Sequence, residues 1–352
     1  MIVAGIMSGT SLDGIDVAIV DIRGKKFEVL AFSSTPYPRK IRQAILAVSN
    51  CDTHTSQISD LNFQLPELYA QAVRKLWKKP LDLVGCHGQT IYHSISSTLQ
   101  IGDGSVLAER LNAPVVSNFR PRDMAAGGAG APLVPFFDYR LFAHTKLNRV
   151  ALNLGGIANI TVVPAKASPE QVIAFDTGPG NMVMDQLVEK ITGGKHYFDR
   201  DGRIAKRGTL DEALLQQLLK DRFYRKAPPK TAGREQYGAE FVKLFPADAD
   251  GVRTAAAFTA ATIAEGVQRF APGTDELIAS GGGVHHPVLM GYLAAFLPQT
   301  RIRIIDEFGI SANAKEAIAF AVMAAETWNR KPSNIPSATG ARKSVVLGTV
   351  SF

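Results

Sequence analysis

Cysteine is nearly absent: Cys51 and Cys86 are the only two in 352 residues, and no C-x-x-C pair exists. That excludes a disulfide-stapled scaffold and a cysteine zinc site, which need more thiols at closer spacing. No apolar run approaches the roughly 18 residues a membrane-spanning helix requires, so no membrane partner is expected. Runs of one charge are missing too. The formal net charge is +7, but lysine and arginine are scattered, and the densest cluster, Lys75 with Lys78 and Lys79, is short. A nucleic-acid surface shows a basic stripe or patch, so no nucleic-acid partner is expected; an anionic small molecule suits the balance as well. Met1 to Gly5 enter a strand-like run with neither a basic leader nor a cleavage site, which points to the cytoplasm.

What is present is the composition of a packed globular protein, 46% hydrophobic and 20% charged. The chain is long for one core, since domains of roughly 100–200 residues are the rule, so two lobes with a cleft between them are expected. Short alternating runs follow each other at the start: Val3–Ile6, a turn from Met7 to Gly14, Ile15–Val20, and, after Gly24, Phe27–Phe32. Gly, Ser and Asp between such runs predict a hairpin and a third strand. The same outline returns at Val150–Leu154, Gly155–Gly156, Ile160–Val163 and Val172–Asp176. Two halves beginning alike predict a duplicated α/β core. Helical spacing marks Ile41–Val48, Ile58–Leu68 with a break or kink at Pro66, Asn181–Ile191, Ala255–Phe270, a helix from His286, and Ala312–Trp328. Strands are expected at 83–86, 114–117, 276–279, 302–305 and, past an irregular tail from Asn329 to Ala341, at Val345–Leu347.

Four groups carry chemistry. The turn Ser8-Gly9-Thr10-Ser11-Leu12-Asp13-Gly14 offers backbone N–H groups, hydroxyls and one acid, the means to hold a phosphate and its metal ion; it also reads as an ordinary hairpin turn. Asn153 to Asn159 repeats the glycine turn in the second half. Gly281-Gly282-Gly283 lies between a strand and a helix, where a nucleotide fits. Asp176, in Phe175-Asp176-Thr177-Gly178-Pro179-Gly180-Asn181, is expected at a strand tip facing a crevice and is the best general-base candidate. An acid before glycines and a helix equally suits an Asx turn or helix cap. Lastly, Cys86-His87-Gly88-Gln89-Thr90 and Asn118 to Asp123 place polar groups past strand ends, suited to a hydroxylated, anionic ligand; His87 also reads as a structural histidine. His285 and His286 are adjacent, cannot pair on one helix face, and receive no metal.

Taken in order, Met7–Gly14, His87–Thr90, Arg120–Gly128, Asn153–Asn159, Phe175–Asn181 and Asp306–Gly309 give the chain a resemblance, over essentially its full length, to the anhydro-N-acetylmuramic acid kinase family. That resemblance implies a two-lobed actin/hexokinase-like ATPase fold of duplicated RNase H-like units with a central cleft. One lobe would hold residues 1–138 and 311–352, the other 139–310. It implies ATP and Mg2+ as cofactors, 1,6-anhydro-N-acetylmuramic acid as substrate, and a homodimer. By residue, it implies Asp176 as the base. Gly9, Thr10, Ser11, Leu12, Asp13, Gly14, Ile15, Asp16, Gly155, Gly156, Gly281, Gly282 and Gly283 would lie around ATP. Asp13 would position Mg2+, and His87, Gln89, Arg120 and Glu307 would contact the sugar. Asn153 stands where many such ATPases carry an acid, which departs from a second metal-binding turn. Two other classes remain open: a hydrolase working without ATP through an acid pair such as Asp176 with Asp185 or Glu307, and a non-catalytic sugar-sensing protein.

Overall fold

The computed structural model describes every residue except Thr10, Ser11 and Asp13, and the backbone alone of Arg234. The chain divides into two compact units, Met1–Arg140 with Asn313–Phe352, and Leu141–Ala312.

The first unit opens with three strands, β1 (Ile2–Ser8), β2 (Gly14–Arg23) and β3 (Lys26–Pro36), that pair antiparallel in chain order. β4 (Leu83–His93) then runs parallel beside β1, β5 (Thr98–Ile101) pairs with β4, and β6 (Val115–Ser117) lies parallel beyond it. The C-terminal strand Thr349–Ser351 closes this edge against β6, so the strand begins past the expected run at Val345–Leu347. The second unit repeats the order. β7 (Arg149–Leu154), β8 (Ile157–Val163) and β9 (Ile173–Pro179) are antiparallel, and β10 (Glu276–Ser280) and β11 (Arg301–Ile304) follow parallel to β7. The duplicated mixed α/β core read from the sequence is therefore present as one topology used twice.

Each sheet is covered by helices that bury their apolar stripes. In the first unit, Lys315–Trp328 lies across β1 and β4. This close approach needs glycine: a Cβ on Gly5 would collide with the Ala317 carbonyl, and one on Gly85 with the Phe320 carbonyl. The first turn of that helix, with Lys315 and Glu316, is thereby held against the sheet. Thr55–Leu76 runs unbroken through Pro66, against the sequence expectation. Proline removes the hydrogen bond to the carbonyl four residues earlier, and here that carbonyl, of Asn62, accepts the N–H of Asp103 at 3.0 Å. Leu65, Pro66 and Tyr69 are all buried, so tertiary packing and a substitute donor hold the helix together. In the second unit the Ala-rich helix Ala249–Phe270 is buried along most of its length and capped by Asp248, whose carboxylate accepts from Gly251 N. Among the described residues no helix is long and apolar enough to cross a membrane.

Candidate active site

In the first unit, the turn after β1 is built on a buried polar network. Ser8 Oγ shares a hydrogen bond with Tyr37 Oη at 2.6 Å and another with Gln89 Oε1; Gln89 Nε2 donates to the carbonyls of Gly9 (3.4 Å) and Thr90 (3.2 Å). Leu12 N donates to Gly9 O at 3.2 Å, and the Leu12 side chain drops into the core with a left-handed φ of 58°. A leucine accepts that backbone only against a steric cost, which its burial offsets. Gly14 faces the Thr35 carbonyl too closely for any Cβ, Ile15 is buried, and Asp16 sits on β2 opposite Met7. Thr10, Ser11 and Asp13 lie outside the described residues, and with them the proposed metal-positioning carboxylate.

His87, Gln89 and Arg120 come together, in roles finer than the sequence suggested. Both ring nitrogens of His87 are engaged: Nδ1 donates to Gly88 O at 2.7 Å and Nε2 accepts from Arg120 Nε and Nη2 at 3.2 and 3.0 Å. Burial, with the Arg120 charge, pushes the imidazole down to about 3, so it stays neutral and orients the guanidinium. Arg120 Nη1 is fixed by Gly130 O at 3.1 Å. Gln89 is fully buried and spends its amide on the turn. Of the three, only Arg120 is half-buried rather than buried.

Beside this group stands Glu316, which sequence reasoning missed. Its side chain reaches solvent, yet surrounding protein raises its carboxyl above the ordinary value; Asp16 adds to the rise, and Lys315 and Arg120 oppose it. Glu307, the acid singled out instead, belongs to the second unit and is engaged locally. Arg303 Nε donates to it at 2.9 Å and Ile304 N at 3.0 Å.

In the second unit the glycine loops converge. Gly180 N and Met182 N donate to Gly156 O, and Asn181 N to Gly155 O, so the β7–β8 turn sits on the start of the helix Met182–Ile191. Gly281, at φ 88°, leaves no room for a Cβ against Leu154, and Gly283 presses on Leu154 and the Asn181 amide. Beside them is a cavity of about 420 Å³ lined by Asn181, Asp185, Tyr197, Phe198, Gly282 and His286, among others. Asp185 has no hydrogen bond from its carboxylate among the described residues, and burial raises it to about 6 against the opposing pull of His286. His286 itself caps the helix Pro287–Phe296, accepting from Leu289 N at 3.2 Å, and meets Asp199 at 3.3 Å.

Asp176 lies on β9 opposite Asn159, at the point where the pairing with β8 shifts register. It is not at the strand tip, since β9 continues to Pro179; nor does it cap a helix, because the cap residue of Met182–Ile191 is Asn181. Asp176 N donates to Lys230 O at 3.1 Å, and Asp176 Oδ2 accepts from Ala232 N at 2.8 Å. Burial lifts the carboxyl to about 6, with the Ala232 N–H and the Lys230 charge holding it back. A carboxylate so poised, one oxygen pinned and the other without a partner among the described residues, is matched to taking a proton near neutral pH.

Curated relatives match the sequence along the whole chain. An anhydro-N-acetylmuramic acid kinase of Caldanaerobacter subterraneus subsp. tengcongensis is 43% identical over 383 residues, covering 100% of this chain and 97% of that protein. One of Bacillus cereus is 43% identical over 381 residues, covering 100% and 99%. Among solved structures, a ROK family glucokinase from Streptomyces griseus aligns over 93% of this chain at 12% identity with a TM-score of 0.40, too low to bear on the argument. With residues 1–352 matching the family described as anhydro-N-acetylmuramic acid kinase, the chain belongs to that family.

Proposed function

We propose that the protein uses ATP to convert 1,6-anhydro-N-acetylmuramic acid and water to N-acetylmuramic acid 6-phosphate, a step in recycling cell-wall sugar. In this substrate O6 is locked in an acetal with C1, so a phosphoryl acceptor exists only if the ring opens. Asp176 takes a proton from water, the water oxygen bonds to C1, the C1–O6 bond breaks, and O6 attacks the γ-phosphorus as ADP leaves. The observation that carries this reading is Asp176 itself: a carboxyl raised to about 6 with Oδ2 fixed by Ala232, the state a general base needs.

The other roles follow the chemistry of each group. The turn from Gly9 to Asp16 and the Gly155–Gly156 turn take the phosphates through backbone N–H groups. Gly281, Gly282 and Gly283 border the nucleoside cavity. Arg120, oriented by His87, and Glu316 meet the sugar; Gln89 shapes the first turn, and Glu307 drops out because Arg303 and Ile304 already hold it. Mg2+ arrives with ATP, since this ion is usually held by phosphate oxygens, water and one or two carboxylates. Asp13 and Asp16 are the acids of the first turn that would meet it. A cytoplasmic homodimer completes the proposal.

Reaction in oxygen-18 water with ATP, followed by mass spectrometry, tests it. One label at C1 and unlabelled phosphate on O6 is the expected product; label in phosphate, or ring opening without ATP, overturns the reading.

A further inference from the structure

We propose that Lys230 is the positioning residue that fixes Asp176, by anchoring residues 230–232 along the open edge of β9. The inference rests on Asp176 being the base. β9 is the last strand of its sheet, so on the side away from β8 the Asp176 N–H has no strand to pair with. Lys230 O supplies that acceptor and Ala232 N supplies the donor to Oδ2, gripping backbone and carboxylate from one short segment. The segment from Lys226 to Gly233 has neither helix nor strand to hold it. Its fixture is the Lys230 side chain.

That side chain is 3% exposed, and among the described residues it has no ion-pair partner. Nζ instead donates to Phe223 O at 3.0 Å and Tyr224 O at 3.1 Å, the carbonyl end of the short helix Arg222–Arg225, and lies 4.8 Å from the ring of Phe223, 5.4 Å from Phe175 and 5.6 Å from Phe270. Lysine is seldom buried so fully without a carboxylate. Carbonyls and ring faces compensate in part. Burial still brings the ammonium down to about 8, with Arg269 and Lys226 adding to the fall and Glu265 and Asp176 opposing it, so it remains cationic through neutral pH. One cation therefore does two things: it ties the segment down and favours the ionised form of the base.

Three variants test this through pH profiles of kcat. Lys230→Met keeps the length and loses the charge; the acidic limb should move up by roughly one pH unit, the size expected when an opposite charge is lost, and kcat at pH 6 should fall about fivefold with it. KM for ATP should hold. Lys230→Arg should recover part of the rate. Should Lys230→Met fail to fold, Ala232→Pro decides, because it removes the N–H on Oδ2 while leaving the Lys230 side chain in place, and should move the limb the same way. A lowered melting temperature with kcat and the limb unchanged in the folded fraction would make Lys230 merely structural and overturn the proposal. Asp176→Asn run alongside separates the two levels: if that variant turns over like the wild type, the base assignment itself is gone.

Discussion

Asn334 donates its side-chain amide to Asp123 Oδ1 at 2.7 Å, tying the C-terminal tail to the short helix Phe119–Ala125 that follows β6. Thr339 Oγ1 donates to the same oxygen at 2.8 Å and Gly130 N to Oδ2 at 2.9 Å. Asp123 is fully buried, so Asp123→Ala strands three donors. Each buried unsatisfied group costs about 1–3 kcal/mol, and we expect a loss of roughly 3 kcal/mol or more in urea unfolding. Both tryptophans, Trp77 and Trp328, lie in the first unit. The earlier transition should therefore appear in tryptophan fluorescence; an unchanged midpoint there would show the network to be dispensable.

Asp176 gives a pH dependence of defined sign. With the carboxyl at about 6, kcat/KM should climb about tenfold per pH unit below that value and level off above it. His87, held neutral with its pKa near 3, contributes no limb in this range. A profile flat from pH 5 to pH 8 would remove Asp176 from the proton transfer.

The same shift predicts a stability effect. A folded pKa above the ordinary 3.8 means the fold prefers the protonated acid, so its contribution is greatest at low pH and is lost as pH rises toward 6. Asp176→Asn keeps an acceptor for Ala232 N–H and has no charge to bury. It should melt no lower than wild type above pH 6 while turnover collapses. Early melting with near-normal turnover per folded molecule is the contrary outcome.

Asp185 lines the cavity beside Gly282 and Gly283 with a carboxylate that has no hydrogen bond among the described residues. We expect it to accept from ribose hydroxyls. Hydrogen bonds to a charged group contribute about 1.5–3 kcal/mol, so Asp185→Ala should weaken ATP about tenfold or more by calorimetry. Wild-type affinity should rise with pH through about 6, as the acid ionises. Equal affinity for ATP and 2′-deoxy- and 3′-deoxy-ATP in the wild type would rule out this contact.

Gly5 and Gly85 allow the helix Lys315–Trp328 to touch the sheet. Gly5→Ala or Gly85→Ala pushes a methyl into a carbonyl, and overpacking of this kind costs about 1–3 kcal/mol. Because Glu316 rides on that helix, KM for the sugar should rise along with the drop in melting temperature. A stability loss with KM unchanged would separate Glu316 from the sugar.

Strand–glycine–strand repetition was legible because it is local: β1 and β2, then β7 and β8, each alternate around a turn rich in small residues. What stayed hidden depends on distant partners. Pro66 reads as a breaker until Asp103 is seen donating to Asn62. Glu316 sits in an Ala-rich helical pattern with no motif around it, and only glycines far back in the chain bring its turn to the sheet. Glu307, in a motif, drew attention that the neighbouring Arg303 accounts for. Asp176 stands out in the sequence by its setting near glycines, whereas the grip of Lys230 and Ala232 on it comes from a segment with no periodic pattern at all.

The first unit is assembled from both ends of the chain, with the second inserted as one continuous stretch, Leu141–Ala312. During synthesis, which delivers residues in order, the inserted unit has all its strands in hand before the helix over Gly5 and Gly85, or the strand that pairs with β6, has left the ribosome. The leading 140 residues must therefore wait with the surface of Gly5 and Gly85 uncovered until the last 40 residues arrive to close it.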